Sequence, residues 1–175
     1  MPRQMPRFDL AFAAAAQTAS EIVTAGEKSH AYGGALGDEW TPKRIEYLYE
    51  FAYLRVFATW EATLEAIFLR SLCGYASRVG PEVLIVGTYY RTIAAAEAAV
   101  LAGNQYMLWH NSAKIIARCQ RHIRSGVAGC PALMETTIAS NLAHLDELAS
   151  IRHRIVHDQK DAKSNFDAAG LLPKS

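Results

Sequence analysis

Apolar positions along this chain recur at intervals of three, four and seven, the spacing of one face of a helix. Leu48, Phe51, Leu54, Phe57, Leu64, Ile67 and Phe68 trace such a stripe and predict a long helix from Pro42 to about Cys73. Thr41 before Pro42 supplies an N-cap followed by proline at the first helical position. Upstream, residues 9–28 predict an alanine-rich helix with Asp9 placed to cap it, and the glycines of residues 32–38 predict a loop. Downstream, helices are predicted over residues 91–101, 109–123 and, opened by Pro131, 131–157. Val83–Val86 is apolar enough for a strand, but nothing else in the pattern offers it a partner, so it reads as a buried turn or short helix. The sum is an all-α fold: five or six helices with short connections, consistent with a compact antiparallel bundle.

At 175 residues the chain is expected to form one domain with its own core. Residues 1–40 read as an additional N-terminal helix and glycine-rich loop, and residues 161–175 as a loose tail. Half the residues are hydrophobic and a fifth are charged, the balance of a soluble globular protein. The three cysteines, Cys73, Cys119 and Cys130, have neither disulfide-framework nor zinc-ligand spacing, and reduced cytoplasmic thiols are the simplest reading. No apolar run approaches the ~20 residues needed to span a bilayer. Arg3 and Arg7 before Leu10–Ala16 imitate a secretion signal, but Asp9 interrupts it and Ile22 and Val23 extend the helical pattern, so an amphipathic helix is favoured.

A formal net charge of +1 leaves no global field to attract nucleic acid, so any contact with an anion must rest on a local cluster. The densest cluster is Arg152-His153-Arg154-Ile155-Val156-His157, two arginines and two histidines in six residues near the end of a helical pattern. Basic groups cost free energy when buried unpaired, so packing alone does not select them there. Arginine binds phosphate through a rigid fork of donors, and histidine exchanges protons near neutral pH. At ~100° per residue, Arg152 projects into the apolar, core-facing arc of Leu145, Leu148, Ile151, Ile155 and Val156. His153 and His157, four apart, share a neighbouring face, whereas Arg152 and His157 diverge by ~140°. If both act on one phosphate, either the helix bends near His157 or a two-fold axis brings together side chains from two subunits.

Arg152-x4-His157, with a polar residue directly after the arginine, resembles the Arg-x4-to-6-His signature of the HEPN superfamily. Trp60-Glu61-Ala62-Thr63-Leu64-Glu65-Ala66-Ile67-Phe68 is similar to the first core helix of many members. The resemblance covers roughly residues 42–160 and implies a small all-α domain, often a dimeric, metal-independent ribonuclease. It implies transesterification, in which the 2′-hydroxyl attacks the adjacent phosphorus to give a 2′,3′-cyclic phosphate and a free 5′-hydroxyl. In that chemistry His157 acts as general base or acid, Arg152 binds the scissile phosphate, and His153 orients it or relays a second proton. Arg154 contacts a flanking phosphate, and Glu61 or Glu65 is the acidic partner of Arg152. No metal and no cofactor are called for. The partners implied are RNA, a second copy of the chain and, for a toxin or an anti-phage defence component, an antitoxin such as a minimal nucleotidyltransferase.

The family also contains non-catalytic helical modules that bind nucleotide or RNA or scaffold a partner, and this is the alternative reading. The plainest reading of the cluster is a basic last turn that complements the helix dipole. The same applies to Arg118, Arg121, His122 and Arg124. Trp60 and Trp109 read as core or interface anchors, His144 as a satisfied interior histidine, and His30 and His110 carry no partner signal.

Overall fold

In a computed structural model the protein is described over residues 3–32, 34–77, 83–124 and 133–157. These residues form seven helices and an all-α helical bundle: α1 (Phe8–Ala31), α2 (Gly34–Glu39), α3 (Pro42–Leu72), α4 (Ile93–Leu101), α5 (Ser112–His122), α6 (Leu133–Ser140) and α7 (Leu142–His157). The count exceeds the expected five or six for two reasons. The glycine-rich stretch taken for a loop closes into α2. The last long helix divides at Asn141, whose side-chain Nδ2 donates to the Thr137 carbonyl at 2.9 Å in place of the backbone amide, which turns to Ile138. Pro131 and the tail after His157 lie outside the described residues.

The central element is α3, 31 residues and so ~46 Å long at 1.5 Å per residue. Its start is capped as the sequence suggests, Thr41 Oγ1 accepting from the Arg44 amide at 3.3 Å with Pro42 at the first helical position. Asp9 is not the cap of α1; it sits in the first turn and accepts from Arg7 at 2.7 Å, which holds its carboxyl down at about 2. Helix α1 runs antiparallel to α3. Phe8 at its start lies under the Arg70 guanidinium at 5.1 Å, while Gly26 near its end packs on Leu48, Ile45 and Trp40. A Cβ at Gly26 would meet the end of the Leu48 side chain, with Ile45 and Trp40 at 3.4 Å, so the glycine gives these side chains room to pack on α1.

The core gathers at the other end of α3. Phe68, Leu69 and Leu72 pack with Ala96 and Val100 of α4, Ile115 and Cys119 of α5, Ile138 of α6, and Trp109 from the segment before α5. Phe68, Leu72 and Ile115 are fully buried, each the kind of residue whose truncation costs several kcal/mol. The apolar stripe of α3 is not uniformly interior: Phe51 is 65% exposed. Val83–Val86 does find a partner. Ile85 bridges antiparallel to Ile123, with the Val86 amide donating to the His122 carbonyl and the Arg124 amide to Leu84, both at 2.9 Å. Ile123, extended directly after α5, supplies an edge that periodicity cannot reveal. Among the described residues no helix is long and apolar enough to cross a membrane.

Candidate functional site

Helix α7 carries the Arg-x4-His segment and has no buried residue along its length. Leu145, Leu148, Ile151, Arg152, Arg154 and Ile155 are partly buried, and His153, Val156 and His157 are exposed. Its tie to α3 includes a hydrogen bond in which Tyr53 Oη donates to the Leu148 carbonyl at 2.6 Å. Burial pushes the Tyr53 hydroxyl up to about 12, so it remains a donor throughout the physiological range.

A cleft of about 370 Å³ lies between α7 and the start of α5, lined by His110, Asn111, Ala113, Asp146, Ala149, Ser150 and His153. Asp146, Ala149, Ser150 and His153 fall at spacings of three, one and three, so one face of α7 forms the wall. His157 continues that face by one turn, and its ring packs on His153 with centroids 4.6 Å apart. The opposite wall is fixed by a tight local structure. Asn111 caps α5, its side chain accepting from the Lys114 amide at 2.9 Å. Leu108 just before it has φ +42, a left-handed conformation that costs a branched residue ~1–2 kcal/mol. From this turn Trp109 enters the core, edge-on to Phe68 at 5.4 Å, and His110 lines the cleft. His110 Nδ1 is 3.1 Å from Glu61 Oε1, with the two side chains only 31% and 21% exposed.

The structure separates the residues that the sequence grouped. His153 and His157 come together on the cleft side, as their spacing predicts. Arg152 lies on the partly buried side of α7, and the helix continues through His157 without a break. On that continuous helix the guanidinium and the His157 imidazole leave from different sides, Arg152 partly buried and His157 exposed. Glu61 is bonded to His110, and among the described residues no ion pair links Arg152 to Glu61 or Glu65. Glu65 acts instead on Arg118, whose positive charge it favours.

In the second basic cluster Arg118 and His122 pack against core aromatics, while Arg121 and Arg124 are exposed. The Arg118 guanidinium lies 5.0 Å from the Trp109 ring centroid, and burial lowers its pKa. His122 meets Phe68 edge-on at 6.1 Å, and its pKa is lowered by burial first and then by Arg121 and Arg118. His144, read as interior, is instead on the surface, its ring 3.4 Å from Glu147.

Two members of the site, His110 and Asp146, carried no signal in the sequence. The partner of His110 stands 49 positions away. Only the fold of α3 against the segment before α5 makes the pair. Among the described residues no three His, Cys, Asp or Glu side chains are grouped so as to hold a metal ion. No family model, curated protein or solved structure matches the chain.

Proposed function

We propose that this chain is a metal-independent endoribonuclease of the HEPN type, acting as a homodimer and cutting RNA by attack of a 2′-hydroxyl on the adjacent phosphorus. The observation that carries the reading is the cleft beside α7, lined by His110, whose ring is paired with Glu61, and by His153, on which the exposed His157 packs. Imidazoles suit such a site because both of their protonation states are populated near neutral pH. His153 and His157 exchange protons with the reacting oxygens. Arg152 lies ~140° around the helix from His157, on the partly buried side of α7. It is therefore assigned to the cleft of the second subunit, where it binds the phosphate and stabilises the charge that develops on it. Arg154 contacts a neighbouring phosphate. An isologous dimer doubles these basic groups around one groove, giving the local field that a net charge of +1 does not supply. Such an enzyme fits a toxin or an anti-phage defence component, with an antitoxin partner.

The test is incubation of the purified protein with total RNA in excess EDTA. Cleavage to 2′,3′-cyclic phosphate ends, lost in His157→Ala and Arg152→Ala while both variants remain folded dimers, supports the reading. Cleavage that requires added magnesium, or that survives both substitutions, rejects it. The separation of Arg152 from His157 in one subunit also favours a second reading, a non-catalytic module that binds RNA in the same cleft. RNA binding without cleavage in the same assay identifies that case.

A further inference from the structure

Besides His153, the cleft is lined by an imidazole that the Arg-x4-His segment does not account for. His110 stands on the wall opposite His153, and its Nδ1 faces a carboxylate that can only accept a hydrogen bond when ionised. The Glu61 carboxylate therefore selects the tautomer with the proton on Nδ1, leaving the Nε2 lone pair of neutral His110 as the ring's remaining polar site. A carboxylate that fixes both tautomer and ring orientation is the arrangement that equips a histidine to take a proton from a hydroxyl nucleophile. Both side chains are mostly shielded from water, so the bond is held rather than exchanged with solvent. The left-handed turn at Leu108 fixes the backbone directly before the histidine. The charged and titratable groups that share this environment are Glu61 from α3 and Asp146 and His153 from α7.

We propose that His110, oriented by Glu61, is the general base of this cleft, acting on a ribonucleotide phosphodiester, and that the His153–His157 pair supplies the acid. This rests on the ribonuclease reading and deepens it. His110 Nε2 takes the proton of the 2′-hydroxyl as the 2′-oxygen forms a bond to phosphorus. The bond from phosphorus to the 5′-oxygen breaks, and the leaving oxygen takes a proton from the histidine pair on α7. Solvent then removes the proton from His110 and returns one to the pair. No oxidant, reductant or co-substrate is required. Glu61 is a positioning residue, since it acts through His110.

Two substrates separate base from acid: an oligoribonucleotide, and a uridine 3′-(4-nitrophenyl phosphate), whose leaving group departs without protonation. His110→Gln is expected to lower kcat by ~10²–10⁴ on both, because the base is needed for each. Glu61→Gln is expected to lower both by a smaller factor, about tenfold, the pattern of a residue that acts through the base. It also serves as the second test should His110→Gln unfold. His157→Ala is expected to be slow on RNA yet close to wild type on the nitrophenyl ester. If His110→Gln cleaves RNA like wild type while His157→Ala and Arg152→Ala do not, the base assignment fails and the ribonuclease reading stands. If His110→Gln recovers on the nitrophenyl ester and His157→Ala does not, the two roles are reversed and the proposal is overturned. If the wild-type protein cuts neither substrate, the ribonuclease reading fails and takes this one with it.

Discussion

Two helix ends in this protein have nearly the same composition and opposite surroundings. The end of α5 carries Arg118, Arg121 and His122; the end of α7 carries Arg152, His153, Arg154 and His157. In α5 Arg118 and His122 pack against the core, over Trp109 and against Phe68, while Arg121 is exposed. In α7 no residue is buried, and the histidines stack on each other beside an open cleft. A basic cluster taken up by packing loses solvent and freedom of movement. One left beside a cavity, as His153 and His157 are, stays open to solvent and to a ligand. Composition marks both helix ends as candidates, and burial distinguishes them.

The contrast is broken most sharply by activity. His157→Ala and Arg152→Ala are each expected to reduce RNA cleavage in EDTA by at least ~10²-fold, the first as loss of a general acid–base group and the second as loss of a donor to the developing charge. Arg121→Ala, in the exposed part of the α5 cluster, is expected to leave the rate within about twofold, since surface substitutions away from a site change little. Equal losses at both helix ends would mean that the wrong surface has been taken for the site.

Stability is expected to follow the opposite order. Phe68→Ala, at a fully buried position beneath α5, is expected to cost about 3–5 kcal/mol in urea unfolding. Tyr53→Phe removes the hydrogen bond from α3 to the Leu148 carbonyl and is expected to cost about 1 kcal/mol. Amide exchange in α7 should quicken in that variant while exchange in α5 stays as it was. Faster exchange in both helices would show that α7 is not held separately from the core.

The smallest effect concerns His122. Burial and the neighbouring arginines lower its pKa from the ordinary 6.5, so the folded protein favours the neutral ring. In the unfolded chain the ring binds its proton more readily, and the stability due to neutral His122 is complete above about 6.5. It is lost as the pH falls from there through the lower folded value. The decline in Tm between pH 7.5 and 5 should therefore be shallower in His122→Gln than in wild type. An unchanged slope would place His122 outside the packed region.

The helical nature of the fold was legible above all in α3, whose apolar spacing is regular and whose start is marked by Thr41-Pro42. Features set by single local bonds were not. The division of α6 from α7 depends on where the Asn141 side chain turns, and the bridge from Ile85 depends on Ile123 leaving its helix extended. In the candidate site, spacing was enough to place His153 with His157, because four residues make one turn. Glu61 stood out as a carboxylate on the right helix, but its partner proved to be His110, which reaches it only through tertiary packing. Phe51 and His144 show the limit of periodicity, which identifies a face without saying whether a neighbour covers it.

The central claim is that Arg152 of one subunit serves the histidines of the other. It is tested by coexpressing Arg152→Ala and His157→Ala chains, each inactive alone, and assaying RNA cleavage by the mixed dimers. In a mixed dimer one of the two clefts combines an intact arginine with an intact histidine. The account therefore expects recovery of about a quarter of wild-type activity when half the dimers are mixed. Dimers that form in the mixed ratio yet cleave no more RNA than either variant alone would contradict it.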